Sequence, residues 1–316
     1  MVIAIDIGGT FVKIGLVNNA EVVVKTKIKS HPKENFQKTI IAIEQTINDL
    51  LIEHYFYQND IEGIGVGFPG LVDSVAMKVL STNKKYDDAI NFDFVKWGKD
   101  TFNTPLFLEN DARVALIGEW QYGAGKGTGN IVMVTFGTGV GSATLIEGKL
   151  LKGKHFQAGN LGGHFTINVN GFECTCGNLG CVEAEASTWK LADLLKSDPR
   201  YADSLIQGSQ LDFESLFKYA AKGGELSITV RNHCLDVWAA GIINLIHAYD
   251  PELVILGGGI MKSADVIIPF IKNKVEKHAW TPWGEVQIKQ SRIPNRSALL
   301  GAYYLVKNNI INERKI

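Results

Sequence analysis

The sequence predicts an α/β fold in which mixed sheets carry helices on their faces and the chain divides into two domains. A length of 316 residues is long for a single hydrophobic core and suits two. Short apolar runs alternate with longer segments whose apolar residues recur every three or four positions, which is typical of alternating strands and helices. An apolar strand, a glycine and threonine turn, and a second apolar strand also occur twice, at residues 2–17 and 131–146, which indicates an internal repeat.

The composition argues against several classes of function. Lys and Arg total 32 and Asp and Glu total 33, so the net charge of −1 offers neither the basic surface of a nucleic-acid-binding protein nor a polybasic membrane patch. The N-terminal residues lack the cationic and apolar regions of a signal peptide, and no apolar run is long enough to span a bilayer. We therefore expect a soluble, cytoplasmic protein with no nucleic-acid partner and no membrane partner.

The first repeat predicts a hairpin with a glycine turn. Apolar strands enclose Asp6, Gly8, Gly9 and Thr10. Backbone N–H groups at such a turn can approach a phosphate closely, Thr10 adds a hydroxyl, and Asp6 can hold Mg²⁺ through water. An ordinary tight hairpin with an acidic turn residue explains the same residues.

Periodicity predicts the rest of the first domain. Its segments are a strand at 21–27, a helix at 33–55, a strand at 61–66 with a tight turn at 67–72, an irregular polar loop at 81–94, a strand at 105–108 and a helix at 112–122. This order favours a mixed sheet with helices on its faces.

Asn110 and Asp111 lie between a predicted strand and a predicted helix. Open α/β sheets bind their ligands at the carboxyl ends of strands. A carboxylate there can accept a hydroxyl proton as general base, and a neighbouring amide can fix a substrate hydroxyl. Asn and Asp also cap helix N-termini very often, so Asp111 is either a catalytic base or a helix cap.

A glycine-rich segment, GAGKGTG at 123–129, follows this helix. It lacks the spacing of a P-loop, and Gly127 stands where Ser or Thr should follow the lysine, so it is interpreted as a mobile link and a domain boundary. Strands on either side then enclose Gly137, Thr138 and Gly139. Two such hairpins facing each other could hold a polyphosphate, because each offers N–H groups and a hydroxyl.

The strongest local signal is a group of three cysteines with a histidine upstream. His164, Cys174, Cys176 and Cys181 supply three thiolates and one imidazole, the four-ligand set of a structural Zn²⁺. Three buried cysteines, or a disulfide with a spare thiol, are the alternatives, although a bridge between Cys174 and Cys176 would be strained and nothing here is typical of a secreted protein. A closed four-ligand site would be structural, so the chemistry belongs elsewhere.

The remaining segments complete the second domain. They are helices at 187–195, 211–223 and 226–249, a strand at 253–256, a helix at 266–278, a strand at 286–289 and a terminal helix at 298–306. Gly257, Gly258 and Gly259 follow a strand and could admit a heterocycle or a ribose, or could simply turn the chain into the next helix.

Together these motifs resemble the ROK family of repressors, uncharacterised reading frames and sugar kinases, within the group that has the actin and hexokinase fold. The resemblance covers essentially the whole chain. It rests on six motifs in the family's order, which are DIGGT at 6–10, GFPG at 67–70, LENDA at 108–112, FGTGVG at 136–141, CTCGNLGCVE at 174–183 and LGGG at 256–259.

The resemblance implies a two-domain actin-like, ribonuclease H-like (ASKHA) fold with a central cleft. Residues 1–122 would form a small N-terminal α/β domain, completed by a C-terminal helix at 296–316. Residues 123–295 would form a larger α/β domain that carries the zinc loop. Relatives of this kind are often homodimers.

The resemblance also implies an ATP-dependent sugar kinase that uses Mg²⁺ and phosphorylates a monosaccharide, usually at the C6 hydroxyl of a hexose. Asp111 would be the general base, and Asn110 would bind a neighbouring hydroxyl. His164 would ligate zinc and lie near the sugar, and Glu183 would reach sugar hydroxyls. The nucleotide would be held at three places. A first phosphate loop would comprise Asp6, Gly8, Gly9 and Thr10, and a second would comprise Gly137, Thr138 and Gly139. The adenosine floor would comprise Gly257, Gly258 and Gly259.

One position departs from the family pattern. Its sugar kinases usually have a glutamate three residues before the histidine, where this chain has Leu161, with Asn160 beside it. A carboxylate that accepts two sugar hydroxyl bonds is therefore missing or replaced by an amide. The departure weakens the case for glucose and leaves an N-acetylhexosamine or a β-glucoside as alternative acceptors.

Two other functions stay open. The family's sugar-responsive repressors carry a helix-turn-helix segment before the first phosphate loop, for which Asp6 leaves no room here, and the net charge is near zero. A non-catalytic sugar-binding relative is compatible with the missing glutamate, whereas the retained Asp111 argues against it.

Overall fold

A computed structural model describes residues 1–33, 35–82 and 85–313. The chain divides into two compact units. Unit 1 comprises Met1–Gly127, Lys152–Ala158 and the described residues from Arg292 onward, and unit 2 comprises Thr128–Leu151 and Gly159–Ser291.

The strands and helices alternate along the chain. In chain order the strands are β1 (Val2–Ile7), β2 (Phe11–Asn18), β3 (Glu21–Lys29), β4 (Gly63–Phe68), β5 (Leu71–Asp73), β6 (Lys78–Ser81), β7 (Leu106–Asn110), β8 (Ile131–Phe136), β9 (Val140–Ile146), β10 (Lys149–Leu150), β11 (Leu253–Gly257) and β12 (Gln287–Gln290). The helices are α1 (Phe36–Glu53), α2 (Phe94–Phe102), α3 (Asp111–Tyr122), α4 (Val182–Ala186), α5 (Thr188–Lys196), α6 (Phe213–Ala221), α7 (Glu225–Tyr249), α8 (Ala264–His278) and α9 (Ser297–Glu313).

Unit 1 contains a five-stranded mixed sheet in the order β3-β2-β1-β4-β7. The antiparallel hairpin of β1 and β2 pairs Ile5 with Ile14, and β4 and β7 run parallel to β1 on its other side. The carboxyl ends of three strands therefore lie at one edge of the sheet, which is where α/β sheets bind ligands.

Both faces of this sheet are covered by helices. On one face α1 and α2 enclose aromatic rings that meet edge to face, among them Phe36, Phe68 and Phe94. On the other face lie α3 and α9. Burial of these rings and aliphatic chains supplies the main driving force for folding the unit.

At two glycines the backbone of α9 comes into direct contact with the backbone of the sheet and of α3. A Cβ atom on Gly65 of β4 would lie 2.3 Å from the carbonyl oxygen of Ala302, and one on Gly118 of α3 would lie 1.9 Å from that of Ser297. No side chain fits in these gaps, so α9 packs directly against the backbone of β4 and of α3.

Unit 2 repeats the strand order of unit 1. Its sheet runs β10-β9-β8-β11-β12, with β8 and β9 antiparallel and β11 and β12 parallel to β8. Its core packs Phe136 of β8 against Trp238 of α7, with ring centroids 4.8 Å apart. The indole nitrogen of Trp238 donates a hydrogen bond of 2.8 Å to the carbonyl of Ala186, which ties α7 to α4.

The shared order confirms the internal repeat predicted from the two hairpins. The predicted strands and helices are also present, with ends shifted by a few residues. The prediction of an irregular loop at 81–94 is wrong at its end, because α2 begins at Phe94 after Asp93, whose carboxylate caps the helix by accepting a 2.9 Å bond from the backbone of Lys96. Residues 83 and 84 of that loop, and 314–316 of the predicted C-terminal helix, lie outside the described residues.

Among the described residues, none of the helices combines the length and the apolar character needed to cross a membrane.

Candidate active site and metal centre

Asn110 and Asp111 lie at the carboxyl end of β7, as the sequence predicts, and have different tasks there. The side-chain oxygen of Asn110 accepts a 3.1 Å bond from the backbone of Arg113, so Asn110 is the N-cap of α3. Its nitrogen donates to the carbonyl of Gly70 and to Oδ1 of Asp111, both at 3.0 Å. The alternative that Asp111 is the helix cap is therefore wrong.

The surroundings of Asp111 disfavour its charged form. Burial, followed by the negative charge of Asp6, raises the pKa of Asp111 to about 6. A 2.8 Å bond from the backbone of Ala112 and the positive charge of Lys85 oppose that shift. A carboxyl group with a pKa near neutrality is suited to accept a proton in catalysis, because it is deprotonated at neutral pH and still basic.

Asp6, near the end of β1, is paired with a lysine. Lys13 Nζ lies 2.9 Å from Asp6 Oδ2, and the charge of Asp6 raises the pKa of Lys13. Carboxylate oxygens are the ligands that Mg²⁺ prefers. Asp6 is thus of the right type to hold a magnesium ion through water, next to a glycine turn.

The first glycine turn is fixed by its own backbone and by hydroxyl groups. Gly8 N–H donates a 3.0 Å bond to the carbonyl of Phe11, and its own carbonyl accepts bonds from Ser30 Oγ at 2.8 Å and from the Tyr86 hydroxyl at 3.1 Å. A Cβ atom on Gly8 would lie 2.8 Å from the Phe11 carbonyl, so the position requires glycine.

Lys85 is a site residue that the sequence analysis did not single out. A Cβ atom placed on Gly9 would lie 3.8 Å from Lys85 Nζ, so an ammonium group stands beside the first glycine turn. Its charge also favours the carboxylate of Asp111. The residue lay in a segment interpreted only as a polar loop, and nothing but its charge could have indicated it.

A buried ion cluster beneath Asn110 was also missed. Glu109 is fully buried between Arg113 Nη1 at 3.3 Å and Lys152 Nζ at 2.9 Å, and its Oε1 accepts the backbone N–H of Asn110 at 2.9 Å. Arg113 Nη2 in turn donates to the carbonyls of Phe156 and Ala158 at 3.1 and 2.8 Å. These ion pairs and hydrogen bonds therefore hold the first residues of α3 in place.

In unit 2 the second glycine turn, residues 137–140, contacts Glu183. Glu183 Oε2 accepts a 2.8 Å bond from the backbone of Val140. A Cβ atom on Gly139 would lie 2.2 Å from the same oxygen, so Gly139 leaves the space that the carboxylate occupies. The predicted contact of Glu183 with a sugar stays a prediction, and its contact with this turn was not foreseen.

The three glycines after β11 have different surroundings. Gly258 has a φ of 93°, and a Cβ atom there would lie 2.0 Å from the carbonyl of Phe136, so it is needed where β11 passes β8. Gly257 is close to Met133, whereas no atom of the described residues lies within 4 Å of a Cβ atom on Gly259. Gly259 is therefore the position open to a ligand.

His164 and the three cysteines form one cluster. Their ligand atoms all lie within 4.8 Å of one another, with Cys176 Sγ 3.8 Å from Cys181 Sγ and Cys174 Sγ 3.5 Å from His164 Nδ1. Tetrahedral zinc with Zn–S of about 2.3 Å and Zn–N of about 2.0 Å places two sulfurs about 3.8 Å apart and sulfur and nitrogen about 3.5 Å apart. The cluster fits a zinc ion.

The cluster contains no disulfide. All four cysteines of the chain are free thiols, so the disulfide alternative is wrong. Burial raises the pKa of the Cys174 and Cys181 thiols, which favours their protonated forms in the absence of a cation. A divalent ion would supply the positive charge that stabilises the thiolates.

Asn160 lies near the cluster in sequence and is nearly buried. It is 9% exposed, and among the described residues its Oδ1 has no hydrogen-bond partner. The backbone on both sides is fixed by Ser142, whose Oγ donates to the Gly159 carbonyl at 3.0 Å and accepts from the Gly162 N–H at 2.8 Å. An unpaired buried amide oxygen is costly and is of the type that accepts a ligand hydroxyl.

The predicted residues thus gather in three places. In unit 1, Asp6, Gly8, Gly9, Asn110 and Asp111 gather at one edge of the sheet. In unit 2, the second glycine turn contacts Glu183, and a separate cluster unites the four predicted metal ligands.

Comparison with known proteins gives a family for this chain. The model of the ROK family matches residues 2–309. The glucokinase of Thermotoga maritima is 29% identical over 316 residues, which cover 98% of each chain. The xylose repressor of Bacillus spizizenii is 26% identical, and the match covers 98% of this chain and 78% of the repressor.

Solved structures give the same fold. A ROK family glucokinase from Streptomyces griseus, in complex with glucose and AMPPNP, superimposes with a TM-score of 0.80 at 24% identity, covering 97% of this chain and 99% of that one. The fold is therefore the actin-like ASKHA fold predicted from the motifs. Since the family model spans nearly the whole sequence, the chain belongs to the ROK family.

Proposed function

We propose that this protein is an ATP-dependent sugar kinase that phosphorylates a monosaccharide hydroxyl, that of C6 in a hexose, with Asp111 as general base. The observation that carries the proposal is the carboxyl of Asp111 at the carboxyl end of β7, whose pKa is raised to about 6. The similarity to glucokinases and to a ROK glucokinase solved with glucose and AMPPNP supports the choice of sugar and ATP.

The transfer is a simple displacement. Asp111 accepts the proton of the sugar hydroxyl, whose oxygen forms a bond to the γ-phosphorus as the bond to the ADP oxygen breaks. Asn110 positions the base, since its side-chain nitrogen donates to Asp111 Oδ1 at 3.0 Å. Phosphoryl transfer needs positioning and charge neutralisation more than covalent help from the protein.

The nucleotide phosphates are assigned to the glycine turns. Asp6, Gly8, Gly9 and Thr10 form the first phosphate loop, with Lys85 beside it as a source of positive charge. The second loop is Gly137, Thr138 and Gly139, and Gly257 to Gly259 form the adenosine floor. Asp6 would hold Mg²⁺ through water, and the ion would supply positive charge beside the phosphates.

The acceptor site is assigned to Asn110, Asn160, His164 and Glu183. The side chain of Leu161 cannot accept a hydroxyl bond, whereas the unpaired Oδ1 of Asn160 can accept one. An amide in place of a carboxylate should change the ranking of sugars that differ at C1 or C2. N-acetylhexosamines and β-glucosides therefore belong in the substrate screen beside glucose.

A coupled assay of ADP release across these sugars tests the proposal. We expect ADP release with at least one of them, a decline of kcat/KM below about pH 6, and a loss of about 10²- to 10⁴-fold in kcat for Asp111→Asn. Calorimetry should show that the variant still binds the sugar. Near-normal turnover by Asp111→Asn contradicts the role of Asp111, and sugar binding without ADP release by the native protein indicates a non-catalytic sugar-binding function instead.

We also propose that His164, Cys174, Cys176 and Cys181 hold a structural zinc ion. Protein purified without added metal should contain about one Zn²⁺ per chain, and Cys176→Ser should lower that content severalfold. Cys234→Ala is the matched control, since Cys234 is buried in α7 and is not part of the cluster. Folded native protein without zinc would contradict the assignment.

A further inference from the structure

The second glycine turn is fixed by the segment that follows the last cysteine of the metal cluster. Cys181 is the N-cap of α4, and Glu183 in that helix accepts the 2.8 Å bond from Val140 N–H. Thr188 Oγ1, at the start of α5, donates a 2.7 Å bond to the carbonyl of Gly137. The backbone N–H of Trp189 donates to the carbonyl of Thr138 at 3.3 Å.

The same segment packs against the metal ligands. Trp189 contacts a small buried cluster that consists of Cys174, Cys181 and Ala184. Residues 181–189 therefore touch the cysteine cluster at one end and the turn at residues 137–140 at the other.

The histidine side of the cluster approaches the turn as well. Gly163, directly before His164, lies so near the turn that a Cβ atom there would be 1.9 Å from the carbonyl oxygen of Val140. The backbone of Val140 is thus enclosed between Glu183, two residues after one ligand, and Gly163, one residue before another.

Hydrogen bonds and a small buried cluster hold this segment, and a metal would add to these restraints. Among the described residues, those from His164 to Cys181 form two isolated β-bridges, Thr166 with Cys181 and Glu173 with Leu179, and the N–H of Phe172 donates a 2.7 Å bond to Glu185 Oε1. The buried cluster at its centre consists of the two thiols and an alanine, with Trp189 alongside. A core this small contributes little hydrophobic free energy, so ligand bonds would add to the hydrogen bonds that restrain Cys181.

We infer that the cysteine and histidine cluster, when it holds its metal, fixes the geometry of the second glycine turn and so controls nucleotide affinity. Thr188 is the positioning residue of this connection. The inference rests on the proposed function, because it takes the turn to be a phosphate-binding loop. It assigns the metal a task on the nucleotide side of the reaction, besides its bond to His164 near the proposed sugar site.

Hydrogen exchange tests the mechanical part without any substrate. The amide of Val140 should exchange at least about 10-fold faster after zinc is removed with a chelator, and re-addition of zinc should restore protection. Amides in the middle of α7 serve as the control and should keep their protection. Unchanged exchange at residues 137–140 in zinc-free protein overturns the inference, whether or not the protein is a kinase.

Binding of ADP, measured by calorimetry, tests the functional part. Thr188→Val removes the hydroxyl that binds Gly137 and should raise the Kd for ADP by about 3- to 10-fold at full zinc content, which corresponds to one hydrogen bond. Thr229→Val is the matched control, because Thr229 Oγ1 donates a comparable 3.0 Å bond to the Glu225 carbonyl on the exposed side of α7.

The two measurements separate the possible failures. ADP binding to native protein that neither zinc removal nor Thr188→Val weakens overturns the control of nucleotide affinity. Faster exchange at Val140 in a protein that does not bind ADP supports the mechanical connection and contradicts the proposed kinase function instead. If chelation unfolds the chain, exchange at Val140 is measured instead in Cys176→Ser, whose zinc content is lowered, and unchanged exchange there overturns the inference.

Discussion

The raised pKa that suits Asp111 to the role of general base also lowers the stability of the folded protein at neutral pH. Its pKa in the folded protein is about 6, raised by burial and by Asp6 from an ordinary value of 3.8. Because the folded state favours the protonated form, the contribution of Asp111 to stability is fully present below about pH 4 and is lost as the pH rises through about 6.

Replacement of this residue should therefore stabilise the protein at neutral pH. Asp111→Asn keeps an oxygen for the bond from Ala112 and removes the repulsion with Asp6. We expect its free energy of unfolding to exceed that of the native protein by about 1–3 kcal/mol near pH 8 and to match it near pH 4. Urea titrations at both pH values measure this difference.

Asp49→Asn is the matched control for this prediction. Asp49 lies exposed on α1, so its replacement should change stability by less than about 0.5 kcal/mol at either pH. Equal stability of Asp111→Asn and native protein near pH 8 would mean that the surroundings of Asp111 do not favour its neutral form.

The residues at this site show what a sequence can reveal. Asn110 and Asp111 were identified because both side chains suit the end of a strand. Which of them caps α3 depends on where the backbone changes from extended to helical, and the residue types alone do not fix that position. Glu109 and Lys85 gave no such signal. Glu109 is buried only because Arg113 and Lys152 come to it from a helix and from a segment more than forty residues away.

Among the elements, the cluster of His164, Cys174, Cys176 and Cys181 was the most predictable because its four residues are close in sequence. The short helix α2 was the least predictable. Its buried residues, among them Trp97 and Phe102, meet partners brought by α1 and β7. The local signal for the start of α2 was the capping residue Asp93, which is hard to recognise among the other polar residues before it.

The contact between α3 and α9 depends on glycine. Gly118→Ala would improve the helix propensity of α3 by roughly 1 kcal/mol, but its Cβ atom would lie 1.9 Å from the Ser297 carbonyl. Because that oxygen belongs to the backbone, the helices must separate. We expect a net loss of about 2–4 kcal/mol in the free energy of unfolding, measured by denaturant titration.

Gly129→Ala provides the comparison. A Cβ atom at Gly129 would meet its nearest neighbour at 3.7 Å, an ordinary contact distance. Its stability should stay within about 0.5 kcal/mol of the native protein. A Gly118→Ala variant as stable as this control would show that α9 can shift at little cost.

At the scale of the whole molecule, the repeated strand order was predictable from two hairpins because each carries its own glycine turn. The position of α9 could not be derived from local pattern. An apolar helix at the end of the chain can pack on either unit, and only the family resemblance placed it with the first one. In the structure it covers the sheet face that contains Val2 and Ala4.

A substitution that disrupts the packing of α9 should destabilise the sheet of unit 1 and leave the sheet of unit 2 folded. Val306 is fully buried there, and a Cβ atom on Gly63 would lie 2.4 Å from its side chain. Val306→Asp places a carboxylate in that apolar contact, which should cost roughly 3–5 kcal/mol. In hydrogen exchange of the full chain, β1 and β4 should lose protection while β8 and β11 keep theirs.

Asn308→Asp adds the same charge at an exposed position of α9. Protection in β1 and β4 should then be unchanged. Equal loss of protection in all four strands of Val306→Asp would mean that the two sheets unfold as one cooperative body.

The packing of α9 on β1 also sets an order of events during synthesis. Strand β1 is translated before the other elements described here, yet the face of it that α9 covers stays exposed until residues near 306 have been translated. Unit 2 ends at Ser291 and is complete earlier. Nascent chains usually fold from the N-terminal domain onward, whereas here the unit that starts later can finish first, and the sheet of unit 1 stays partly uncovered until α9 has been translated.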